Sequence, residues 1–352
     1  MAGTPSLSQV EAEIAGRLSQ YEFAVRRQHF KASPRSLVAV ASAGAASGWV
    51  VLILAPLLMV VDLPGWPVAL TGFAALLLGL LLVLGIADGV IPTRHPEVNA
   101  VNICAQRQDE PQLWLVAHCD SKSQGISLAG RVFALGALGT GLVLFVVALG
   151  ARVFAPLPWW AIAPAVLLTV AGGSMLSRRA LSNDSPGAVD NATGVLAVLV
   201  AVEHLQHRRD VGVLITGAEE FAMAGARAWV AARGAAGSFI NIDGIDSRGR
   251  HRVTKHRPRA SSAQRSREIA DAVTDALTGA GVDATQLGLP PGVLEDGVAL
   301  SRGGMAGVTL SRGDWQTLRV VHTKLDRPER IDVAAAVTTG AAVAQAVDVL
   351  LG

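Results

Sequence analysis

From Ser36 to Val61 the chain carries no charged residue, and from Leu63 to Ala87 it again carries none. Both runs exceed the roughly 20 residues that a helix needs to cross a hydrocarbon layer about 30 Å thick. Asp62, the break between them, lies in the turn-like Asp62-Leu63-Pro64-Gly65-Trp66-Pro67. A second pair of uncharged runs follows, Val132–Ala151 and Pro158–Leu176, parted by Arg152 and Pro156. Such runs belong either in a bilayer or in the core of a large soluble fold. Four of them near spanning length favour four transmembrane helices in two hairpins. The third is the weakest, because Arg131 sits at its edge and glycines recur through it.

Composition agrees with a divided chain. Only 16% of the 352 residues are charged and 51% are hydrophobic, against roughly 25% charged in soluble domains. The apolar excess is concentrated in residues 36–176, so the remainder reads as a water-soluble part. The expected layout is an amphipathic helix in 1–34, a transmembrane hairpin in 35–91, a soluble domain formed by 92–126 and 177–352, and a second hairpin, 127–176, inserted within that domain. A net charge of +2 offers no field that would draw nucleic acid. Cys104 and Cys119 are too few for a disulfide framework.

Basic residues flank the spans unequally. Arg26, Arg27, Lys31 and Arg35 precede the first, Arg94 follows the second, Lys122 and Arg131 precede the third, and Arg178 and Arg179 follow the fourth. The hairpin tips offer only Arg152, together with Trp66, Trp159 and Trp160, which fit an aromatic interfacial belt. An integral protein of the plasma membrane follows, with everything but the tips on the cytoplasmic side. Residues 1–34 are polar and lack a small-residue cleavage site, so they do not read as a signal peptide. Ser8-Gln9-Val10-Glu11 reads there as a capping box opening a helix with Val10, Ile14, Leu18 and Tyr21 on one face. That helix docks on the soluble domain or lies on the membrane.

Strand and helix patterns alternate through the soluble part. Strands are expected at Val98–Cys104, Leu113–Ala117, Val211–Thr216, Phe239–Ile242 and Gly307–Leu310. Helices are expected at Ala192–His207, Phe221–Arg233, Ala263–Ala280 and Val333–Leu350. This alternation implies an α/β fold, a mostly parallel or mixed sheet with helices on both faces. In open α/β sheets, ligands bind beyond the carboxyl ends of the strands, and polar residues collect there. His118-Cys119-Asp120-Ser121 follows the second strand, Asp190-Asn191-Ala192-Thr193-Gly194 opens a helix, and Gly217-Ala218-Glu219-Glu220 follows the third. Asp243 ends the fourth, and His322-Thr323-Lys324-Leu325-Asp326 follows Val320-Val321. Singly, Asp190 is an N-cap and His-x-Asp is a loop histidine beside a carboxylate. Together, these acids and two histidines at successive strand ends suit hydrolysis by a metal pair. That chemistry needs a bridging carboxylate, further His or acid ligands, and an unligated acid to take a proton from water.

This ordered set resembles the di-zinc aminopeptidases of metallopeptidase family twenty-eight, whose relatives include glutamate carboxypeptidase and glutaminyl cyclase. The likeness rests on Ala117–Ser121, Ser185–Gly194, Gly217–Glu220, Asn241–Asp243, and His322-Thr323 with Asp326. It implies two Zn2+ ions per chain, bridged by Asp190. His118 and Asp243 would complete one site, and Glu220 and His322 the other. Glu219 would be the general base, and Asp120 would hold the His118 ring in its tautomer. Asp296 looks like the family's acid before the last strand, with a structural role equally open.

Two departures stand out. Close relatives join the equivalents of His118 and Asp190 by a loop of about a dozen residues, whereas here 71 positions intervene and contain the second hairpin. Packed helices lie roughly 8–10 Å apart, so a helical hairpin fits into a loop whose ends are close. Such an insertion implies a metal site near and facing the bilayer. The other departure is Val321, where several members carry a tyrosine that donates to the tetrahedral intermediate.

The expected activity is that of a membrane-bound metallo-aminopeptidase acting on peptides or small amides. A non-catalytic peptidase-like scaffold or receptor module is the alternative, disfavoured by the intact ligand set. A transporter would need polar residues within the spans, and these have almost none. Comparable family members are mostly secreted or lumenal, whereas the charge rule puts this domain inside. The basic run Arg248–Arg259 reads as a solvated strand and loop, with contact to anionic headgroups the other option.

Overall fold

The structure is a computed structural model and describes all residues except 61, 88–89, 92–96, 179–180, 235–236, 257–261 and 290–292. In chain order, α1 (Pro5–Gln20) and β1 (Ala24–Ala32) precede two long helices, α2 (Arg35–Leu54) and α3 (Gly65–Ala87). Then come β2 (Val98–Gln106), β3 (Leu113–His118) and another helix pair, α4 (Leu128–Arg152) and α5 (Trp159–Leu176). The remainder is α6 (Thr193–His204), β4 (Val211–Thr216), α7 (Ala224–Arg233), β5 (Ser238–Ile245), β6 (Arg250–Lys255), α8 (Ala263–Gly279), β7 (Ala284–Gly288), α9 (Asp296–Arg302), β8 (Ala306–Gly313), α10 (Trp315–Val320) and α11 (Val333–Leu351). These elements form two compact units, residues 1–33, 97–123 and 182–352, and residues 34–96 and 124–181.

The first unit is an α/β fold around one eight-stranded mixed sheet, ordered β1-β2-β4-β3-β5-β8-β6-β7. Parallel pairs β3–β4, β3–β5 and β5–β8 make its centre, while β1–β2, β2–β4 and β6–β8 are antiparallel. Every residue of β3 and β4 is buried, as expected of strands covered on both faces. Alternation along β3 makes the two covers visible. Leu113, Leu115 and Ala117 pack in a core with residues of α6, α8 and α11. Trp114 and Val116 point the other way, into a core with Ala226 and Trp229 of α7 and Val298–Leu300 of α9.

The N-terminal segment departs from expectation. The first helix starts at Pro5, ahead of Ser8, and buries Leu7, Glu11, Ile14 and Leu18, leaving Val10 46% exposed. Pro is well suited to a helix's first position, since its missing N–H would have no helical partner there. Ile14 and Leu18 belong to the main core, which puts this helix on the α/β unit. Residues 24–32, expected to flank a span, form β1 and pair with β2 along its whole length. Arg26, Arg27 and Lys31 thus decorate an edge strand, where charge discourages pairing with another chain. Phe221 also lies outside α7. Ala218, Ala222 and Met223 have positive φ, so the chain makes a tight turn before helix geometry begins.

The second unit consists of α2 to α5 and their connections. With α11, these are five helices long and apolar enough to cross a membrane among the described residues. Ala336, Val343, Ala346 and Val347 of α11 lie in the α/β core, whereas α2 to α5 turn many large apolar side chains outward around an inner cluster that includes Leu54, Phe145, Leu149 and Ile162. Ile53 is 66%, Phe133 66% and Leu167 68% exposed. Small residues line the contacts between these helices. A Cβ on Gly173 would run into the Gly44 carbonyl, and one on Gly172 would lie 2.6 Å from the Ala134 carbonyl oxygen. Such close backbone approach is characteristic of helices packed in lipid. Arg152, read as a charge at a hairpin tip, is buried, and its Nη2 donates to the carbonyls of Val60 and Leu63 at 2.6 Å each. Those oxygens lie between α2 and α3, so one guanidinium satisfies peptide groups that helix geometry leaves open.

Candidate metal centre

The parallel strands of the α/β unit end on one side of the sheet, and their successive polar ends converge there. His118 ends β3, Glu219 and Glu220 follow β4, and Asp243 lies near the end of β5. Asp190 comes from the segment before α6, and His322 follows α10. His118 Nε2 lies 3.1 Å from Asp190 Oδ1 and 3.5 Å from Asp243 Oδ1. His322 Nε2 lies 3.0 Å from Asp190 Oδ2 and 3.1 Å from Glu220 Oε1. Two triads result, His118-Asp190-Asp243 and Asp190-Glu220-His322, the ligand atoms of each lying within 4.8 Å of one another. They share Asp190, with one carboxylate oxygen turned to each histidine.

The loops around these side chains are braced. Asp326 accepts from the backbone N–H groups of Val189 and Asp190 at 2.8 and 3.2 Å, which aims Asp190; burial raises the Asp326 pKa to about 6. Asn191 donates to the Ile242 carbonyl and accepts from the N–H groups of Gly194 and Gly244, tying the Asp190 segment to β5. Ala218 and His322 lie in the left-handed region, at φ 53° and 64°. Non-glycine residues adopt it only where their surroundings impose it.

Asp120 meets the His118 ring more closely by its backbone than by its side chain. Its backbone carbonyl, 3.0 Å from His118 Nδ1, is the close partner of that ring, while its carboxylate stands 3.8 Å away. The carboxylate instead accepts from the Glu219 backbone N–H at 2.9 Å. Asp120 therefore reaches both the His118 ring and the Glu219 loop, by two different groups.

Electrostatics sort the acids. Burial would raise the Asp190 pKa, but hydrogen bonds from His118 and His322 hold it far below the usual carboxylate range. Glu220 behaves alike: burial is outweighed by the charges of His322 and Lys122, which bring it down to about 2. Glu219 goes the other way, its carboxyl pushed well up by burial and by neighbouring Glu220 and Asp243, against the pull of His118. Asp296 is buried, bonded to the Thr216 hydroxyl, and raised by burial to about 7. Glu295, 3.4 Å from His256 Nε2, is raised by burial and by Asp243 to about 8.

Lys122 is the group that sequence reasoning missed. Counted there among the basic flanks of a span, it is 6% exposed and forms a tight ion pair with Glu220 Oε2. Its position directly after His118-Cys119-Asp120-Ser121 was the available signal. Val321 is buried near the site, and Tyr21, the chain's only tyrosine, ends α1. No second tyrosine exists to stand in for it.

Residues 169–347 match the sequence profile of Peptidase family M28. A zinc aminopeptidase from Bacillus subtilis has a similar fold, with a TM-score of 0.55 at 15% identity over 99% of this chain and 89% of that one. An aminopeptidase from Aneurinibacillus sp. strain AM-1 gives 0.56 at 11% identity, with the same coverages. Glutaminyl cyclase from Porphyromonas gingivalis gives 0.54 at 13% identity, over 99% and 91%. No protein of curated function matches in sequence.

Proposed function

Because the chain belongs to peptidase family M28, we propose that it is a membrane-bound zinc aminopeptidase, hydrolysing the N-terminal bond of peptides or small amides. The observation that carries this reading is the pair of triads joined at Asp190. The donors suit zinc, which takes imidazole nitrogen and carboxylate oxygen. Glu220 Oε1 is buried in the second triad with His322 Nε2 3.1 Å away, as suits two ligand atoms of one cation. The histidines point the same way. Burial should lower the His118 pKa, yet hydrogen bonds to Asp190 and Asp243 raise it well above the usual value, so the carboxylates favour a positive charge at a position where a metal cation would serve them better.

His118 and Asp243 would hold one zinc, Glu220 and His322 the other, and Asp190 would bridge them. A metal pair held there would supply Lewis acidity to the scissile carbonyl and make the proton of the attacking water easier to remove. Glu219 takes that proton on its carboxylate and returns it to the departing amine. A raised carboxyl pKa brings this base closer to working pH. Asp120 positions both His118 and the Glu219 backbone. With valine at 321, no phenol steadies the oxyanion.

Four apolar helices with outward-facing large side chains support anchoring in a bilayer through α2 to α5. Arg35, Arg131 and Arg178 lie at the ends opposite the tips, which supports a cytoplasmic catalytic unit. A protease-protection assay in intact cells tests this, and cleavage of the α/β unit from outside would refute it. Activity is tested on detergent-purified protein by measuring bound zinc, aminoacyl-anilide hydrolysis and cyclisation of an N-terminal glutaminyl peptide. Two zinc ions and hydrolysis abolished by Glu219→Gln are expected. Cyclisation without hydrolysis would make the chain a cyclase, and zinc-free wild type would favour the non-catalytic scaffold.

A further inference from the structure

The sheet edge that carries the metal centre is also where the chain passes to and from α2 to α5. β2 is antiparallel to both β4 and β1, so β1 ends at this edge, with only Ser33 and Pro34 between it and α2. β2 begins there, returning from α3. β3 ends there, and Ser123 beyond it pairs with Ser182 in an isolated bridge that brackets α4 and α5. All four connections between the units thus leave from one edge of the sheet. If α2 to α5 cross the bilayer, these short connections hold that edge at its surface.

The side chains exposed at this edge fit such a surface. β8 ends there and leads into α10, where Trp315 and Arg319, one helical turn apart, point away from buried Thr317 and Val320. Trp315 is 57% and Leu325 56% exposed, and Lys324 and Arg327 are exposed beside Leu325. Arg248 is exposed on the turn between β5 and β6. Asp246 ties that turn to the same segment, accepting from Thr317 Oγ1 at 2.6 Å and Arg330 Nη2 at 3.0 Å. Arg250 and Arg330 are paired, with Asp283 and Asp246, whereas Arg248, Arg319, Lys324 and Arg327 have no acidic partner among the described residues. Of the acids in the segment, Asp314 caps α10 and Asp326 is buried against the Asp190 loop, which leaves Glu329 exposed.

We propose that this edge docks on an anionic bilayer surface, Trp315 and Leu325 entering the interfacial layer and Arg248, Arg319, Lys324 and Arg327 meeting the headgroups. The inference rests on the membrane reading above. Tryptophan favours the layer between headgroups and acyl chains, a neighbouring leucine adds apolar area to bury there, and each base near an anionic surface strengthens binding roughly fivefold. An acidic peptide would satisfy the bases but not the two apolar side chains set among them.

The test places the full chain in nanodiscs of phosphatidylcholine with or without phosphatidylglycerol and follows amide hydrogen exchange of residues 315–327 by mass spectrometry. Exchange is expected to be roughly tenfold slower with phosphatidylglycerol, and the difference to vanish in 1 M salt, where the Debye length is about 3 Å. Arg319→Gln combined with Lys324→Gln and Arg327→Gln should also remove it, and Trp315→Ser should shrink it with every base kept. Unchanged exchange in α8 reports that each variant is folded, and the salt comparison needs no variant at all. Equal exchange in both discs, or slowing that survives salt and the three substitutions, would overturn the proposal. So would equal slowing by a soluble tetraglutamate peptide in phosphatidylcholine discs, which would make the patch a peptide site. A chain extracted only by detergent but indifferent to headgroup charge sinks the docking surface alone. A chain found soluble without detergent sinks the membrane reading with it.

Discussion

The two units of this chain both bury an apolar cluster but differ in what they turn outward. In the α/β unit the large apolar side chains are inside, and a cluster of charged groups enters the interior where strands end, with His118, Glu219 and Glu220 buried and Asp190 and Asp243 beside them. In the four-helix unit Ile53, Phe133 and Leu167 face outward while Gly44, Gly172 and Gly173 hold the helices together. Water makes burial of large apolar surface favourable, whereas lipid removes that advantage and leaves close packing as the cohesive term. A small residue at a helix contact and an acid at a strand end are thus the positions on which each unit most depends.

The contrast can be broken or sharpened by substitution. The largest effect should come from Glu219→Gln, which removes the proposed base: roughly a thousandfold loss of kcat, about 4 kcal/mol, with zinc content and membrane recovery unchanged. Loss of membrane recovery in this variant would show that the units do not act separately. Next is Lys122→Met, which strands the buried Glu220 charge. Breaking such a pair costs about 3–5 kcal/mol, and zinc at Glu220 should offset part of it. Thermal unfolding of zinc-loaded and chelated protein should therefore diverge more in the variant than in wild type; an unchanged gap would dissociate Lys122 from the metal centre.

A smaller effect is expected from acid. His251 is buried, donor or acceptor to the Thr339 hydroxyl at 2.9 Å, and burial, then the Arg312 charge, lowers its pKa to about 4. The unfolded chain binds this proton near pH 6.5 and the folded chain only near pH 4. The contribution is therefore intact above pH 6.5 and lost as pH falls toward 4, about 3 kcal/mol in all. No histidine lies in α2 to α5, so the α/β unit should show this slope, and His251→Asn should reduce it in chemical denaturation across that window, the remainder coming from His256, which burial also lowers to about 4. Last, Gly173→Leu should destabilise the helical unit by about 1–3 kcal/mol through overpacking against Gly44. Differential scanning in detergent should show a lowered transition with anilide hydrolysis retained below it; loss of both together would contradict separate units.

Much of this is legible in the sequence. The periods of two and 3.6 residues located most strands and helices, because burial on one face imposes them. Strand ends flagged the acids and histidines, since solvated caps rarely line up in that order. What escaped was set by distant partners. Residues 24–32 alternate weakly and are rich in basic residues, and they became a strand only because β2 offered an open edge. Lys122 looked like a membrane flank because nothing nearby in sequence announces Glu220. The split of Asp120 between carbonyl and carboxylate depends on a 3.0 Å contact and a 3.8 Å gap that no spacing encodes.

By itself, then, the sequence determined where lipid-compatible helices and an α/β core could exist and which residue types stood at the strand ends, because local periodicity and charge are written in neighbours. Tertiary structure alone decided that Asp190 turns one oxygen to each histidine, that Arg152 is buried among backbone carbonyls, and that Lys122 pairs with Glu220. Those are contacts between residues distant in the chain, and their distances arise from packing, which sequence separation does not measure.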